Sequence, residues 1–336
     1  MTTTAVSAPP LPRSIYIEPT SRCNEFCQQC PRTLLSREDD RDLSFDNFRY
    51  IVDQFPVLER VVLHGLGEPL LNKELPRMIR YLKERGAYVL FNSNGISLTA
   101  KKGQELIDAG LDEYRLSMDG STRETYAHVR GVDAFDKIWR NAGAFVARQK
   151  EQDASKPAVS LWFTAMKENL HELPGLIDLA YEHGIREVYL QRLVYFEQGL
   201  AMSKQALFRR STREELELVE RCARTCEERG ISFNAAGSAT PVESLVRDFG
   251  ERPWSGCRRP YTLTYITSSG NVLSCCFAPF GHRSAREYKE ERVIGNIFQE
   301  PIEAIWHGER YEAFRRAFES DHPARHCSQC GLNWSY

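Results

Sequence analysis

Short apolar runs rich in Val, Ile and Leu alternate with amphipathic stretches from the start of the chain to about residue 230. Such runs predict buried strands, and apolar positions spaced by three or four residues predict helices. The predicted strands are Ser14–Glu18, Arg60–His64, Tyr88–Asn92, Glu113–Ser117, Ala158–Thr164 and Glu187–Gln191. The predicted helices are Phe45–Phe55, Lys73–Arg85, Ala100–Ala109, Arg123–Gln149 with an interruption near Gly131, Leu170–His183 and Thr212–Arg229. This repeated alternation predicts a parallel sheet with helices outside it.

The fold class predicted is α/β, with a partial (β/α)6 barrel, because six units are too few for a closed eight-stranded barrel. After about residue 240 the pattern changes to a hairpin, Tyr261–Thr267 and Val272–Cys276, and then a helix, Ile302–Phe318. We therefore divide the chain into a flexible lead-in (1–13), the barrel (14–235) and a small C-terminal α+β domain (236–336). Functional residues are expected in the loops that follow the strands, since parallel βα folds place their chemistry there.

Composition narrows the class of protein. The 336 residues carry a formal net charge of −2, which offers no basic footprint for nucleic acid. The apolar runs are too short to span a bilayer, and the N-terminus lacks the features of a signal peptide. We therefore expect a cytoplasmic protein with no membrane partner. In a reducing compartment, the ten cysteines favour metal ligation over disulfides.

The first cysteine cluster is Cys23-x3-Cys27-x2-Cys30, directly after the first predicted strand. Three thiolates can hold three irons of a [4Fe–4S] cube and leave the fourth iron open to a small ligand. A structural zinc site is the alternative, but it needs four protein ligands, and no fourth Cys or His lies nearby in the sequence.

Residues Ser14 to about Gln191 resemble the radical S-adenosylmethionine (SAM) superfamily, whose CxxxCxxC motif is present here as CNEFCQQC. The resemblance implies a [4Fe–4S] cluster held by these cysteines, with SAM bound at its open iron. It also implies SAM contacts in the loops after successive strands, where the sequence is similar to the family's. The residues concerned are Gly65, Gly67, Glu68, Pro69, Asn94, Ser117, Asp119, Arg130 and Gln191. Gln29 is expected to contact SAM as well, although the family often has an aromatic residue at this position. Glu68 is expected near the SAM ammonium group and Arg130 near its carboxylate.

The late cysteines suggest a second metal site. Cys257 is followed by twelve residues, Gly270, four residues and Cys275, and then by Cys327-x2-Cys330. Four thiolates can coordinate a second [4Fe–4S] cluster completely or, alternatively, a zinc ion. The spacing resembles the shortened SPASM fold called the twitch domain, which holds one auxiliary cluster. Cys276 adjoins Cys275 and should point the opposite way on a strand, so it is expected to be a spare thiol.

The resemblance further implies that an external one-electron reductant of the flavodoxin or ferredoxin type starts SAM cleavage, and that the resulting radical abstracts hydrogen from a substrate. Glu18 or His64 could accept a substrate proton, and Cys276 could donate hydrogen.

Because only about a dozen residues precede the first strand, no leader-binding domain is expected. That favours a small polar substrate, such as an aminocyclitol oxidised at a secondary alcohol. An epimerase with a cysteine donor, which Cys222 or Cys226 could also supply, and a peptide or protein maturase remain as alternatives, with a non-enzymatic scaffold less favoured.

Overall fold

The computed structural model describes residues 9–35, 39–237, 240–248, 250–280 and 288–328. Within these ranges one ten-stranded sheet forms the centre of the molecule. Its strands are β1 Ser14–Ile17, β2 Arg60–Val62, β3 Tyr88–Ser93, β4 Glu113–Ser117, β5 Ala158–Ala165, β6 Glu187–Arg192, β7 Ser232–Ala235, β8 Leu263–Ile266, β9 Asn271–Leu273 and β10 Val293–Asn296. The strand order is β10-β9-β8-β1-β2-β3-β4-β5-β6-β7, and β1 to β7 are parallel.

Helices connect the strands and cover the outer face of the sheet. They are α1 Pro31–Leu34, α2 Phe45–Asp53, α3 Leu75–Glu84, α4 Ala100–Asp108, α5 Arg123–Arg130, α6 Phe135–Glu151, α7 Leu173–Glu182, α8 Arg213–Glu228, α9 Pro241–Val246, α10 Arg259–Thr262, α11 Ile302–His307, α12 Glu309–Glu319 and α13 Arg325–Ser328. Local chemistry fixes several ends. Ser44 caps α2, since its side chain accepts a hydrogen bond from the Asn47 backbone N–H, and α8 begins with a capping box of Thr212 and Glu215.

The predicted α/β class and parallel sheet are confirmed, and all six predicted strands are present. The sequence interpretation missed β7, because its four residues, Ser-Phe-Asn-Ala, include two polar residues and are only partly buried. The interruption near Gly131 is confirmed: the glycine adopts φ 71°, which ends α5. The helix predicted over Ile302–Phe318 is divided at Gly308, where the carbonyl oxygen of Ala304 leaves no room for a side chain.

The C-terminal hairpin continues the barrel sheet. Strand β8 pairs in parallel with β1, with Tyr16 opposite Tyr265, and β9 then pairs antiparallel with both β8 and β10. Backbone hydrogen bonds therefore cross the domain boundary proposed near residue 235. Part of the lead-in is also held in place: the Pro9 carbonyl accepts a hydrogen bond of 2.9 Å from the Trp306 indole, whereas residues 1–8 lie outside the described ranges.

The main hydrophobic core lies between the sheet and its helices. In β1 the side chains of Ile15 and Ile17 are fully buried in this core, while Tyr16 packs in a separate group with Tyr265. Alternate residues of a strand point to opposite faces, so Tyr16 and Glu18 belong to the inner side of the barrel. No helix in the described part of the chain is long and apolar enough to cross a membrane.

Candidate active site and cysteine pocket

The N-terminal cysteine loop is held against the end of α5. The backbone N–H groups of Phe26 and Gln28 donate to the carbonyls of Arg130 and Val129, over 3.2 Å and 2.9 Å. Close packing at this junction requires Gly131, because a Cβ there would lie 2.5 Å from the Phe26 carbonyl oxygen. The loop that carries the three cysteines is thus fixed by backbone contacts.

Beside this loop, the carboxyl ends of the central strands enclose a cavity of about 200 Å³ that opens to solvent. Most of the predicted site residues line it. They are Cys23, Cys27, Cys30, Gln29, His64, Gly65, Gly67, Glu68, Asn94, Ser117, Asp119, Arg130 and Gln191. Segments far apart in the sequence therefore meet at one edge of the sheet, as parallel βα architecture requires. Pro69 begins a short 3₁₀ turn behind the cavity wall and is not part of its lining.

A charged network forms one wall of the cavity. Arg130 Nη1 lies 3.2 Å from Glu25 Oε2, and its Nε lies 2.8 Å from Asp119 Oδ2 in an ion-pair contact. Although burial opposes a charged guanidinium, Asp119 and Glu25 raise the pKa of Arg130 well above its usual value. The Cys27 thiol donates to Glu25 over 3.3 Å. Arg130 is thus already paired with two carboxylates at the position where a SAM carboxylate was expected.

Gln29 is oriented by the same network. Its Nε2 donates to Asp119 Oδ2 over 2.7 Å, and a carboxylate oxygen can only accept, so this contact fixes the amide orientation. Within the described residues, Gln29 Oε1 is buried without a hydrogen-bond partner, and so is His64 Nδ1. Buried polar atoms normally have partners. Two unsatisfied polar atoms among the residues that line the cavity fit a site built for a polar ligand.

Glu68 is a buried carboxylate in the loop that follows His64, and it is held by three hydrogen bonds. It accepts hydrogen bonds from Ser93 Oγ (2.8 Å) and from the backbone N–H groups of Leu70 (3.0 Å) and Asn94 (2.8 Å). Burial raises the pKa of Glu68 to about 7. A cationic group in the cavity would offset that desolvation and favour the charged carboxylate, so Glu68 suits an ammonium ligand.

The glycines before Glu68 allow a close approach of backbone segments. A Cβ on Gly67 would lie 2.1 Å from the Thr20 carbonyl oxygen, and one on Gly65 would lie 2.2 Å from Glu18 Oε2. Real side chains do not tolerate such distances. This loop can therefore approach both the cysteine loop and β1 only because glycine occupies these two positions.

Burial also governs the three cysteines. It raises the pKa of Cys23 to about 12, with Glu68 and Glu25 adding to the effect, and it raises the pKa values of Cys27 and Cys30. Metal binding here must therefore displace protons. No three His, Cys, Asp or Glu side chains in the described ranges converge closely enough for a single metal ion. A four-iron cube binds each thiolate at a separate iron, whereas a structural zinc site needs four protein ligands.

The late cysteines meet in a second, smaller site. Cys257, Cys275 and Cys327 line one pocket of about 20 Å³, together with His326. The rest of the lining is mostly aromatic or apolar: Trp254, Arg259, Pro260, Ser274, Phe277, Phe314 and Phe318. The fourth predicted ligand, Cys330, lies outside the described residues. Cys276 does not line this pocket; it packs in a neighbouring group with Tyr16 and Tyr265 to which Cys275 also belongs, and both cysteines follow β9, which ends at Leu273.

Two family comparisons agree with this geometry. The radical SAM superfamily matches residues 17–180, and SPASM, an iron–sulfur cluster-binding domain, matches residues 257–331. The first range contains the cysteine loop and most of the cavity lining, and the second contains the late cysteines. The chain belongs to the radical SAM superfamily and carries a SPASM-type domain. The predicted cofactors, a SAM-binding [4Fe–4S] cluster, SAM and an auxiliary cluster, follow from this membership.

Three relatives illustrate the range of the radical SAM matches. Fe-coproporphyrin III synthase of Methanosarcina barkeri is 29% identical over 309 residues, which cover 85% of this chain and 71% of that protein. PqqA peptide cyclase of Streptomyces rochei is 25% identical over 322 residues, covering 95% and 82%. Streptococcus suis SuiB, solved with precursor peptide SuiA, superposes with a TM-score of 0.69 and 18% identity over 96% of this chain and 70% of that one. This last likeness shows the fold alone.

The radical SAM cavity also contains residues that the sequence interpretation missed. Glu25 lies between two of the cysteines but is only 3% exposed, because Arg130 and Tyr126 bind its carboxylate. The other missed lining residues are Pro31, Leu66, Asn92, Ser93, Thr164, Arg192, Leu193, Val194 and Phe280. Position at the end of a strand could have indicated Thr164 and Arg192. Nothing local in the sequence marks Phe280, which comes from the C-terminal region.

Two of the three predicted catalytic residues lie outside the radical SAM cavity. His64 lines it, and burial, with the positive charge of Arg115, lowers the pKa of His64 to about 4. Glu18 does not line it: both carboxylate oxygens accept hydrogen bonds from Leu66, Tyr265 and Ser268. Cys276 does not line it either. The structure therefore brings only His64 to the place where substrate proton transfer was expected.

Proposed function

We propose that this radical SAM enzyme is a peptide maturase, which abstracts hydrogen from a residue of a peptide that reaches into the cavity from outside. When bound, the cluster and SAM supply the carbon radical that removes this hydrogen. The small-polar-substrate dehydrogenase expected from the sequence is the less favoured interpretation. None of the three relatives described above is named a dehydrogenase, and one of them, 25% identical to this chain, is named a peptide cyclase.

The size of the cavity is the observation that carries the proposal. Pockets that enclose a small-molecule ligand usually measure about 300–1,000 Å³. The cavity here measures about 200 Å³ and is open to solvent. SAM bound in it would occupy most of that volume. A substrate is therefore presented at the open mouth, where one side chain of a longer molecule can enter while the rest stays outside.

The chain's own residues have distinct roles in this proposal. Glu68 receives the ammonium group of SAM, and that contact lowers the cost of keeping its buried carboxylate charged. Gln29, oriented by Asp119, offers a free carbonyl oxygen to the bound nucleoside. Glu25 and Asp119 hold Arg130 beside Cys27, where its positive charge balances the thiolates of the cluster.

His64 is the residue we propose to act on the substrate. Its pKa, about 4, keeps the imidazole neutral at physiological pH. A neutral ring with an unpartnered Nδ1 can accept a hydrogen bond or a proton from the substrate group that enters the mouth. An external one-electron reductant, a flavodoxin or ferredoxin, would start each cycle. The auxiliary cluster of the SPASM-type domain would then take the electron that an oxidised peptide releases.

The test compares two substrate classes with one readout. Anaerobically reconstituted protein is given SAM and dithionite, then either synthetic peptides encoded by short reading frames beside this gene or a panel of aminocyclitols and monosaccharides. Stimulated release of 5′-deoxyadenosine by one peptide, together with loss of two hydrogen atoms from that peptide, supports the proposal. Stimulation by a cyclitol or sugar, with no response to any peptide, would restore the dehydrogenase interpretation. Deuterium uptake without a change of oxidation state would indicate an epimerase.

The His64→Gln variant sharpens this test. Gln keeps a polar side chain but cannot take up a proton at neutral pH. If His64 acts on the substrate, the variant still cleaves SAM slowly without peptide, yet loses peptide conversion. Equal conversion by the variant and the native enzyme would remove His64 from the mechanism.

A further inference from the structure

Glu18, at the end of β1, joins two parts of the molecule that are distant in sequence. Its Oε2 accepts hydrogen bonds from the Leu66 backbone N–H (2.8 Å) and the Tyr265 hydroxyl (3.0 Å). Its Oε1 accepts from the Ser268 hydroxyl (2.9 Å) and the Ser268 backbone N–H (3.3 Å). Only a carboxylate, which accepts at both oxygens, satisfies all these donors at once.

One side of this junction is the loop that carries Glu68. Leu66 lies between Gly65 and Gly67, and all of these residues line the cavity. The Glu18 carboxylate lies so close beneath the loop that a Cβ on Gly65 would overlap it, at 2.2 Å from Oε2 and 2.3 Å from Cγ. The conformation of the loop and the position of Glu18 are therefore mutually dependent.

The other side is the hairpin that leads into the cysteine pocket. Tyr265 and Ser268 are 1% and 5% exposed and lie on β8 and the turn that follows it. Strand β9 returns from that turn and leads directly to Cys275, which lines the pocket. The hairpin is thus held by the auxiliary site at one end and by Glu18 at the other.

We propose that Glu18 is a positioning residue, through which the auxiliary-cluster hairpin sets the conformation of the Gly65–Glu68 loop and hence the affinity of the enzyme for SAM. This coupling concerns the cofactor sites alone and does not depend on the identity of the substrate. Linkage requires it to be reciprocal: bound SAM would steady the hairpin as much as the loaded hairpin favours SAM.

The first experiment measures SAM binding by equilibrium dialysis to anaerobically reconstituted protein of matched iron content. Glu18→Gln keeps the size of the side chain but places an amide donor against N–H and O–H donors. We expect the dissociation constant for SAM to rise about tenfold, within the range typical of coupled sites. The matched control is Asp112→Asn, which alters another buried carboxylate that accepts a backbone N–H, from Val89, near the opposite ends of the strands.

A loss of stability without a change in SAM affinity would reduce Glu18 to a structural residue and overturn the proposal. So would an equal loss of affinity in the Asp112→Asn control. If Glu18→Gln does not fold, Tyr265→Phe replaces it, because that variant deletes a single hydroxyl and leaves the Leu66 contact in place. It should still weaken SAM binding, by a smaller factor.

The second experiment is a double-mutant cycle, which tests whether the effect of the cysteine pocket on SAM affinity depends on Glu18. The Cys257→Ala/Cys327→Ala variant removes two pocket cysteines without touching the hairpin. In native protein this change should weaken SAM binding severalfold. In the Glu18→Gln background the same change should have little further effect, because the connection is already broken. If the two changes raise the dissociation constant for SAM by independent factors that simply multiply, Glu18 does not couple the pocket to SAM binding. The shift in the electron paramagnetic resonance signal of the reduced first cluster on SAM addition gives an independent readout.

Discussion

The two cysteine sites of this enzyme have opposite surroundings. The N-terminal loop faces an open cavity walled by Glu25, Asp119, Arg130 and other polar groups. The C-terminal pocket is about a tenth of that volume and is lined largely by aromatic rings and proline. Polar, accessible walls suit a cluster with an open iron and an exchangeable charged ligand. The smaller, less open and mostly apolar second pocket suits a cluster whose irons are all bound by protein, since access of solvent and small ligands is limited there.

One buried arginine near each site shows the same difference in surroundings. Arg130 is paired with two carboxylates, which raise its pKa. Arg315, near the C-terminal pocket, donates to the carbonyls of Pro260 and Trp306 and lies over the rings of Trp306 and Tyr311. Burial lowers the pKa of Arg315. In the first region the arginine charge is therefore neutralised by carboxylates. In the second region the arginine charge is stabilised by backbone carbonyl dipoles and aromatic rings.

The largest expected effect comes from deleting the first site. Changing Cys23, Cys27 and Cys30 to alanine together should lower iron from about eight to about four atoms per chain and abolish formation of methionine and 5′-deoxyadenosine from SAM. Iron and sulfide assays after anaerobic reconstitution measure the first quantity, and chromatography the second. Cys222→Ala is the control, because that thiol is buried in the main core and lies outside both sites. Retained SAM cleavage in the triple variant would refute the assignment of the site.

Deleting the second site should have a narrower effect. Cys257→Ala should again remove about four irons, but SAM cleavage should persist while conversion of the peptide stops. SAM is expected in the larger N-terminal cavity, so loss of this pocket should affect the fate of the substrate more than formation of the radical. Metal analysis checks the alternative directly: about one zinc per chain in native protein, lost in the variant without any change in iron, would make the C-terminal pocket a zinc site.

The arginines allow a direct comparison of the two regions. Arg130→Gln leaves Glu25 and Asp119 buried without their counter-charge, which typically costs about 3–5 kcal/mol. Arg315→Gln removes hydrogen bonds to two carbonyls and should cost about 1–3 kcal/mol. Urea unfolding of both variants under identical conditions measures the difference in the free energy of unfolding. Equal losses, or a larger loss for Arg315→Gln, would contradict the contrast drawn between ion pairing and aromatic packing.

The accuracy of the sequence-based predictions for each region depends on how far apart in the sequence the interacting residues lie. The six strands and the cavity loops were predictable because apolar runs and short motifs are local. Glu25 has no local signal in the sequence, because Arg130, which binds its carboxylate, lies 105 residues later. Glu18 was interpreted as a catalytic base because its partner Tyr265 lies 247 residues away, beyond any local pattern. Strand β7 is not predicted, because two polar residues interrupt its apolar run.

The smallest expected effect concerns the histidine of the polar cavity. The pKa of His64 is about 4 in the folded protein and about 6.5 in an unfolded chain, so the unfolded chain binds an extra proton between these values. The stability contributed by neutral His64 is therefore fully present above about pH 6.5 and is lost as the pH falls toward 4.

Between about pH 7.5 and 5.5 native protein should lose about 1 kcal/mol more stability than His64→Gln. His128→Gln, at an exposed position, should track native protein. Parallel pH profiles for all three proteins would show that protonation of His64 costs the fold nothing, and the cavity would then be more open to water than its walls indicate.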